Sequence, residues 1–354
     1  MKKYLIAAVG VTAALALTSC SGSGSGDGDG KATELNVYSW ADEIPQSVFD
    51  AFTEETGIKV NVDSFDSNET MISKLAAGNS GYDIIEPSQY AVQQLVGQEL
   101  IEKLDKSQIE GLDGIAEKFA DPSYDPGLAY SVPWVWGTTG LMYNEDCTGG
   151  EEITGWASLF DPKWKGKINM LDNMLAAYIA GLQVNGYDAS STDEKEIAKA
   201  TESLIDQKPL LSGYNSSNYG DLVANGDVCI SEAWGGTSTA KIVEANENVH
   251  YVIPEEGGSL WVDGISIAKG APHEDAAYEF INFLLRPDVA AMATNDGGLA
   301  SANADAKDHV TDQGLLSNAA VYASDEQVEN ADFIVDPGDA MKFYQDGWTR
   351  VKAS

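Results

Sequence analysis

The stretch Leu35-Asn-Val-Tyr-Ser-Trp40-Ala-Asp-Glu-Ile-Pro45-Gln-Ser-Val-Phe-Asp50-Ala-Phe-Thr-Glu-Glu-Thr-Gly57-Ile-Lys-Val-Asn-Val-Asp-Ser-Phe65 changes its hydrophobic period twice. Leu35 to Trp40 alternates as a strand. Pro45 then suits a first helical turn, Val48, Phe49 and Phe52 make a helical stripe, and Gly57 ends it. Ile58 to Phe65 alternates again, with Val60 and Val62 on one face and Lys59, Asn61 and Asp63 on the other. Working outward, Ser67-Asn-Glu-Thr70 opens a second helix through Met71, Ile72 and Leu75 to Gly78, and Tyr82 to Glu86 is a third strand before Pro87. This βαβαβ order predicts an α/β fold, a mostly parallel sheet with helices on both faces.

The run Tyr130-Ser-Val-Pro-Trp-Val-Trp-Gly-Thr-Thr-Gly140, before a strand at Leu141 to Asn144, reads as the chain crossing into a second lobe. Strands follow at Lys167 to Leu171, Val228 to Ala233, Val249 to Ile253 and Trp261 to Ala268. Helices follow at Asp193 to Asp206 and Asp275 to Leu285, the latter ended by Pro287. A chain that crosses between lobes more than once makes a hinge of paired strands, and such hinges close clefts. The expected division is 34–136 plus 262–315 for lobe 1 and 137–261 plus 316–354 for lobe 2. Two lobes also suit a chain longer than a single core supports.

The N-terminus adds an address. Lys2 and Lys3 precede an apolar run from Tyr4 to Leu17 and then Leu17-Thr-Ser-Cys20, the anatomy of a bacterial lipoprotein signal over 1–19 with Cys20 as lipid attachment. Residues 20–33, rich in Gly, Ser and Asp, read as a flexible tether. The folded body is therefore expected outside the cytoplasm, held to the cell membrane through lipid on Cys20. The sequence carries 21 Lys+Arg against 56 Asp+Glu; without Lys2 and Lys3 the balance is 19 against 56, or −37. Such a surface repels nucleic acid. It either steers a small cation inward or keeps a surface protein soluble, and charge alone leaves both open. Cys147 and Cys229 either pair with each other or stand as two buried thiols.

Catalytic signatures are missing from the sequence. The three histidines, His250, His273 and His309, lack metal-motif spacing, and neither a phosphate-binding glycine loop nor a nucleophile elbow occurs. What stands out is acid beside aromatic: Trp40 and Asp42 after the first strand, Trp234 after the strand from Val228, and Trp261 with Asp263 at i, i+2 on one strand face. An indole face and a carboxylate suit an alkylammonium, through ~0.5 to 2 kcal/mol of cation–π attraction and roughly 1.5 to 3 kcal/mol from a charge-assisted hydrogen bond. Trp134, Trp136, Trp156, Trp164 and Trp348 read instead as packing residues.

The segments Leu35 to Trp40, Phe52 to Val60, Ser67 to Met71, Tyr82 to Ile85, Pro87-Ser-Gln-Tyr90, Trp136-Gly137, Trp261-Val-Asp263 and Phe280 to Ala290 resemble the spermidine/putrescine-binding proteins of ABC importers, in order, from Leu35 to Val351. The resemblance implies a two-lobed periplasmic-binding-protein fold of type II, each lobe a mostly parallel sheet flanked by helices, with a polyamine or similar small organic cation in the cleft. It implies an ABC permease and ATPase as partners, a monomer, no cofactor and no enzyme activity. A sensor of the same fold, or a binder of another cationic amino-acid derivative, is the alternative. Carried over residue by residue, the contacts fall on Trp40, Asp42, Ser88, Tyr90, Trp234, Trp261 and Asp263. Ala176 stands where the family usually has a glutamate, with Asp172 nearby to replace it; a family tyrosine near Gly298 and a glutamine near Ile334 are also missing. With acids at Asp42 and Asp263 only, the site is expected to prefer two positive charges, a diamine over a triamine.

Overall fold

A computed structural model describes residues 32–354. The expected leader, the expected tether up to Lys31 and Cys20, the expected lipid attachment, lie outside the described residues. Strands β1 (Glu34–Trp40), β2 (Lys59–Phe65) and β3 (Ile84–Ile85) run parallel in the order β2-β1-β3. Helix α1 (Gln46–Thr56) joins the first two, with Pro45 at its cap position and Gly57 closing it at φ 76°, a left-handed turn that glycine adopts without Cβ strain. Its buried Phe52 meets Phe280 and Phe283 edge to face, at 5.0 and 5.4 Å between ring centroids. Helix α2 (Asn68–Ala76) starts on Ser67, whose side chain accepts from the Thr70 N–H, and α3 (Gln89–Gly97) follows β3 directly. Leu35 and Val37 face one helical layer while Tyr38 faces the other, so β1 is covered on both sides as a parallel strand requires. β2 is the outermost strand and is only partly covered: Val60 packs half-buried against the core, Val62 remains 41 % exposed and Phe65 is buried.

Two long strands carry the chain onward. β4 (Val132–Asn144) is one continuous, fully buried strand. The sequence suggested a crossing first and a strand only from Leu141; Pro133 is accommodated by a register shift between Pro133 and Val135 and does not interrupt the strand. β4 lies antiparallel to β9 (Ser259–Ile267), whose last residues, Ser266 and Ile267, pair with β3. β9 thus belongs to the β2-β1-β3 sheet at one end and to a second sheet at the other. The two lobe boundaries expected inside these strands fall opposite each other, Trp136 against Val262 and Gly137 against Trp261.

The second sheet continues as β4, β7 (Ile230–Trp234), β5 (Ile168–Met170) and β6 (Leu211–Tyr214), the last three parallel. β8 (Val249–Val252) and β10 (Ala300–Ser301) also pair with β4, and β11 (Asp332–Phe333) pairs with β9. Helices Met174–Gln183, Glu194–Gln207 and Met341–Ala353 pack on this sheet. The last docks through Gly347, where a Cβ would overlap the Tyr178 hydroxyl, and through Tyr344, which donates to the Ser191 carbonyl at 2.6 Å. A disulfide joins Cys147 to Cys229, with Cα atoms 5.1 Å apart, tying the end of β4 to the start of β7. Among the described residues, no helix is long and apolar enough to cross a membrane.

Candidate ligand-binding site

The ends of β1 and β3 and the middle of β9 come together because these strands are neighbours in the sheet. β1 ends on Trp40, whose ring lies 4.6 Å from Phe65. The turn after it holds Asp42 at φ 63°, a left-handed conformation that aspartate tolerates better than most side chains, and leaves that side chain exposed. The acid that meets Asp263 is the next residue, Glu43. Asp42, the carboxylate expected here, thus stands exposed one residue before it: the strand's alternation ends at Trp40, and the turn, not the pleat, decides which way the following side chains point.

A third acid joins them. Glu86 follows β3 directly and is fully buried; its Oε2 accepts from the Trp40 backbone N–H at 3.2 Å. Asp263 is 4 % exposed, and Ser88, Glu43 and Trp40 all stand close enough to act on its charge. One oxygen of each acid, Glu43 Oε2, Glu86 Oε1 and Asp263 Oδ1, is buried without a hydrogen-bond partner, as is Trp40 Nε1. Loss of hydration, then repulsion from Asp263, raises Glu43 and Glu86 well above the usual carboxylate range; loss of hydration lifts Asp263 to about 6. Among the described residues no lysine, arginine or histidine forms an ion pair with any of the three. Nor is any group of three or more His, Cys, Asp or Glu placed to hold a metal ion.

Asn68 fixes the neighbouring loop. Its Oδ1 accepts from the Ser88 N–H at 3.2 Å and its Nδ2 donates to the Tyr90 hydroxyl at 2.9 Å. Ser88 sits at the start of α3 and bridges to Asp263 across the sheet. Gln89, also buried, accepts from the Val262 N–H and donates to the Leu260 and Ile334 carbonyls, fastening α3 to β9 and to the C-terminal segment. Trp261 lays its indole across Gly137, where any Cβ would overlap its six-membered ring, and donates to the Thr138 carbonyl at 3.3 Å. Trp234 ends β7, with its carbonyl taken by the Tyr219 and Thr239 hydroxyls.

The tryptophans divide by surroundings. Trp134, Trp136 and Trp156 are buried, and Trp164 and Trp348 pack against the second core. Trp40, Trp234 and Trp261 keep part of their surface exposed, and among the described residues no lysine or arginine lies over any of these three rings. Asp172, the acid expected to stand in near Ala176, is engaged elsewhere, by Lys352 at 2.7 Å. The buried acid of that region is Glu232 on β7, which accepts from the Leu171 N–H at 3.1 Å and has no partner for Oε1. Its isolation from water raises it from 4.5 to about 8. Glu86 and Glu232 carry no assignment from sequence; Glu43 stands there only as the neighbour of Asp42 after Trp40, and Asn68 only as part of a helix start. Glu86 carried a usable signal, since it ends a parallel strand beside Ser88 and Tyr90, the criterion that singled out Trp40.

Several known proteins are similar to this chain over most of its length. The spermidine/putrescine-binding periplasmic protein of Escherichia coli (strain K12) is 31% identical over 320 residues, covering 90% of this chain and 91% of that one. The spermidine/putrescine ABC transporter substrate-binding protein of Streptococcus pneumoniae superposes with a TM-score of 0.80 at 31% identity, over 91% of this chain and 99% of that one. A lipoprotein of Treponema pallidum superposes with a TM-score of 0.82 at 28% identity, over 90% and 99%. The fold is thus the two-lobed α/β architecture of periplasmic binding proteins. Residues 47–329 match the model of one family, and with it the chain belongs to the bacterial extracellular solute-binding proteins.

Proposed function

We propose that the chain captures a polyamine, a putrescine- or spermidine-like organic cation, outside the cytoplasm and hands it to an ABC permease. The observation that carries this reading is a set of acids, half-buried Glu43 and buried Glu86 and Asp263, near partly open indoles at Trp40 and Trp261, with no lysine, arginine or histidine paired to them among the described residues. A charge buried without a partner is costly, and a ligand ammonium supplies the partner. Ser88 and Tyr90 border the same pocket, and Trp234 provides an indole from the other lobe. The names of the relatives from Escherichia coli and Streptococcus pneumoniae point to the same ligand class.

The paired strands β4 and β9 are the hinge in this reading, with the lobes dividing near 136/137 and 261/262. Ligand contacts from both lobes favour the closed form, which the permease then distinguishes from the open one. Attachment through lipid on Cys20 fits the leader sequence, and the relative from Treponema pallidum is named a lipoprotein. The expectation of a diamine rested on two acids; with Glu43 and Glu86 beside Asp263, acid count no longer separates diamines from triamines. A thermal-shift and calorimetry panel of putrescine, cadaverine, spermidine, neutral amino acids and sugars tests the reading. Stabilisation by the amines alone is the expected result; stabilisation by a sugar or a neutral amino acid, with none from the amines, defeats it.

A further inference from the structure

We propose that Glu43, Glu86 and Asp263 form one cup for a primary ammonium group, and that the empty cup holds a proton which leaves as the ammonium enters, so that capture of the cation is linked to proton release. This rests on the cation-receptor reading above and gives that site a regulation of its own.

The geometry comes from three separate segments: the turn after β1, the residue after β3, and the centre of β9. Each contributes a carboxylate with one buried oxygen that has no partner, although Glu86 is fully buried and Asp263 nearly so. Glu43 and Asp263 stand within hydrogen-bond reach of each other, close enough to share a proton, and Glu86 faces Asp263 from β3; a primary ammonium brings three N–H donors to such a group, and a quaternary ammonium has none to offer. The Trp40 side chain lies within hydrogen-bond reach of Asp263 and favours its charged form. The trio does not meet the requirements of a metal cage.

Among the described residues, no lysine, arginine or histidine forms an ion pair with these acids. From α3 comes Tyr90, which itself feels Glu69 of α2 as well as Asp263; from the segment before β4 comes Tyr124, which feels Asp125 and Asp263. Burial and the neighbouring negative charges keep both phenols protonated. With no basic side chain paired to them among the described residues, these neighbouring carboxylates cannot all ionise at little cost, since like charges repel in a partly screened interior. Their protons come off in steps that belong to the group and not to one residue. Burial and mutual repulsion both push Glu43 and Glu86 toward the neutral form. An arriving ammonium reverses that balance, favouring the carboxylates and driving the proton into solution.

Calorimetric titration of the full chain with putrescine and with spermidine, near neutral pH in phosphate and in Tris, reads the proton count directly from the dependence of the observed heat on buffer ionisation enthalpy. Release of about half to one proton per ligand is expected, with affinity rising up to about tenfold per pH unit from mildly acid to neutral conditions. Glu86→Gln and Glu43→Gln should each cut the released fraction at least by about half, because a neighbour that cannot ionise no longer competes for the charge. Tight amine binding with no buffer dependence in the unmodified protein overturns the proton linkage and leaves the receptor reading standing. Absence of binding by either amine overturns both. The buffer comparison needs no variant, so it decides the matter even if a substitution prevents folding.

Discussion

Glu232 gives the sharpest test of how burial shapes this protein. Its carboxyl is fully buried on β7, with one hydrogen bond from the Leu171 N–H, and is raised from 4.5 to about 8. The folded state therefore holds this proton more tightly than the unfolded chain does. Stability from this group is intact below about pH 4.5 and falls as pH rises toward 8, by about 1.4 kcal/mol per unit. Between pH 5 and 8 the accumulated loss is on the order of 4 kcal/mol. Glu232→Gln keeps the shape and an acceptor for Leu171 but cannot ionise. Urea unfolding of both proteins at steps from pH 5 to 8 isolates the effect, because Glu43, Glu86 and Asp263, which shift the same way, are common to both. The curves should lie close at pH 5 and diverge by roughly 3 to 4 kcal/mol at pH 8, the variant being the more stable. Parallel curves, separated by less than about 1 kcal/mol throughout, would refute the account of Glu232 as a neutral, water-excluded acid.

Gly137→Ala places a methyl where the Trp261 ring now lies, so the indole must swing away; amine affinity by calorimetry should fall at least about tenfold, with the fold retained. Replacing Cys147 and Cys229 by serine removes a link across 82 residues of sequence, and chemical denaturation should show a loss of roughly 4 to 5 kcal/mol from the freed chain entropy. Gln89→Ala removes the acceptor of the Val262 N–H and the side-chain donor to the Ile334 and Leu260 carbonyls, the latter keeping only the Ile334 N–H at 3.4 Å. It should lower stability by about 2 to 4 kcal/mol in the same assay, an unchanged midpoint being the contrary result.

How far the chain announced its own fold depended on local regularity. The β1–α1–β2 unit was legible because Pro45, the Val48–Phe49–Phe52 stripe and Gly57 all act within a few residues of themselves, and the cap geometry follows them. β4 was legible only at its end: Pro133 reads as a breaker, and the register shift that absorbs it is a property of the pairing with β9. Helix Met174–Gln183 gave no periodic signal because Ala176 to Leu182 are buried all round. The site was half legible. Indoles next to acids pointed to Trp40, Trp261 and Asp263, whereas Glu43 and Glu86 became visible only once a turn and a sheet order had brought three distant segments to one place. The exposure of Asp42 follows from a single backbone angle that no side-chain pattern encodes.

The central claim is that carboxylates and indoles from distant segments build a pocket for protonated nitrogen. A crystal structure of the protein grown with putrescine tests it most directly. An ammonium nitrogen about 3 Å from Asp263 and from Glu43 or Glu86, with its methylenes along Trp40 or Trp261, is the expected result. Putrescine bound away from these residues, or a fully occupied crystal in which the three acids meet only water, would contradict it.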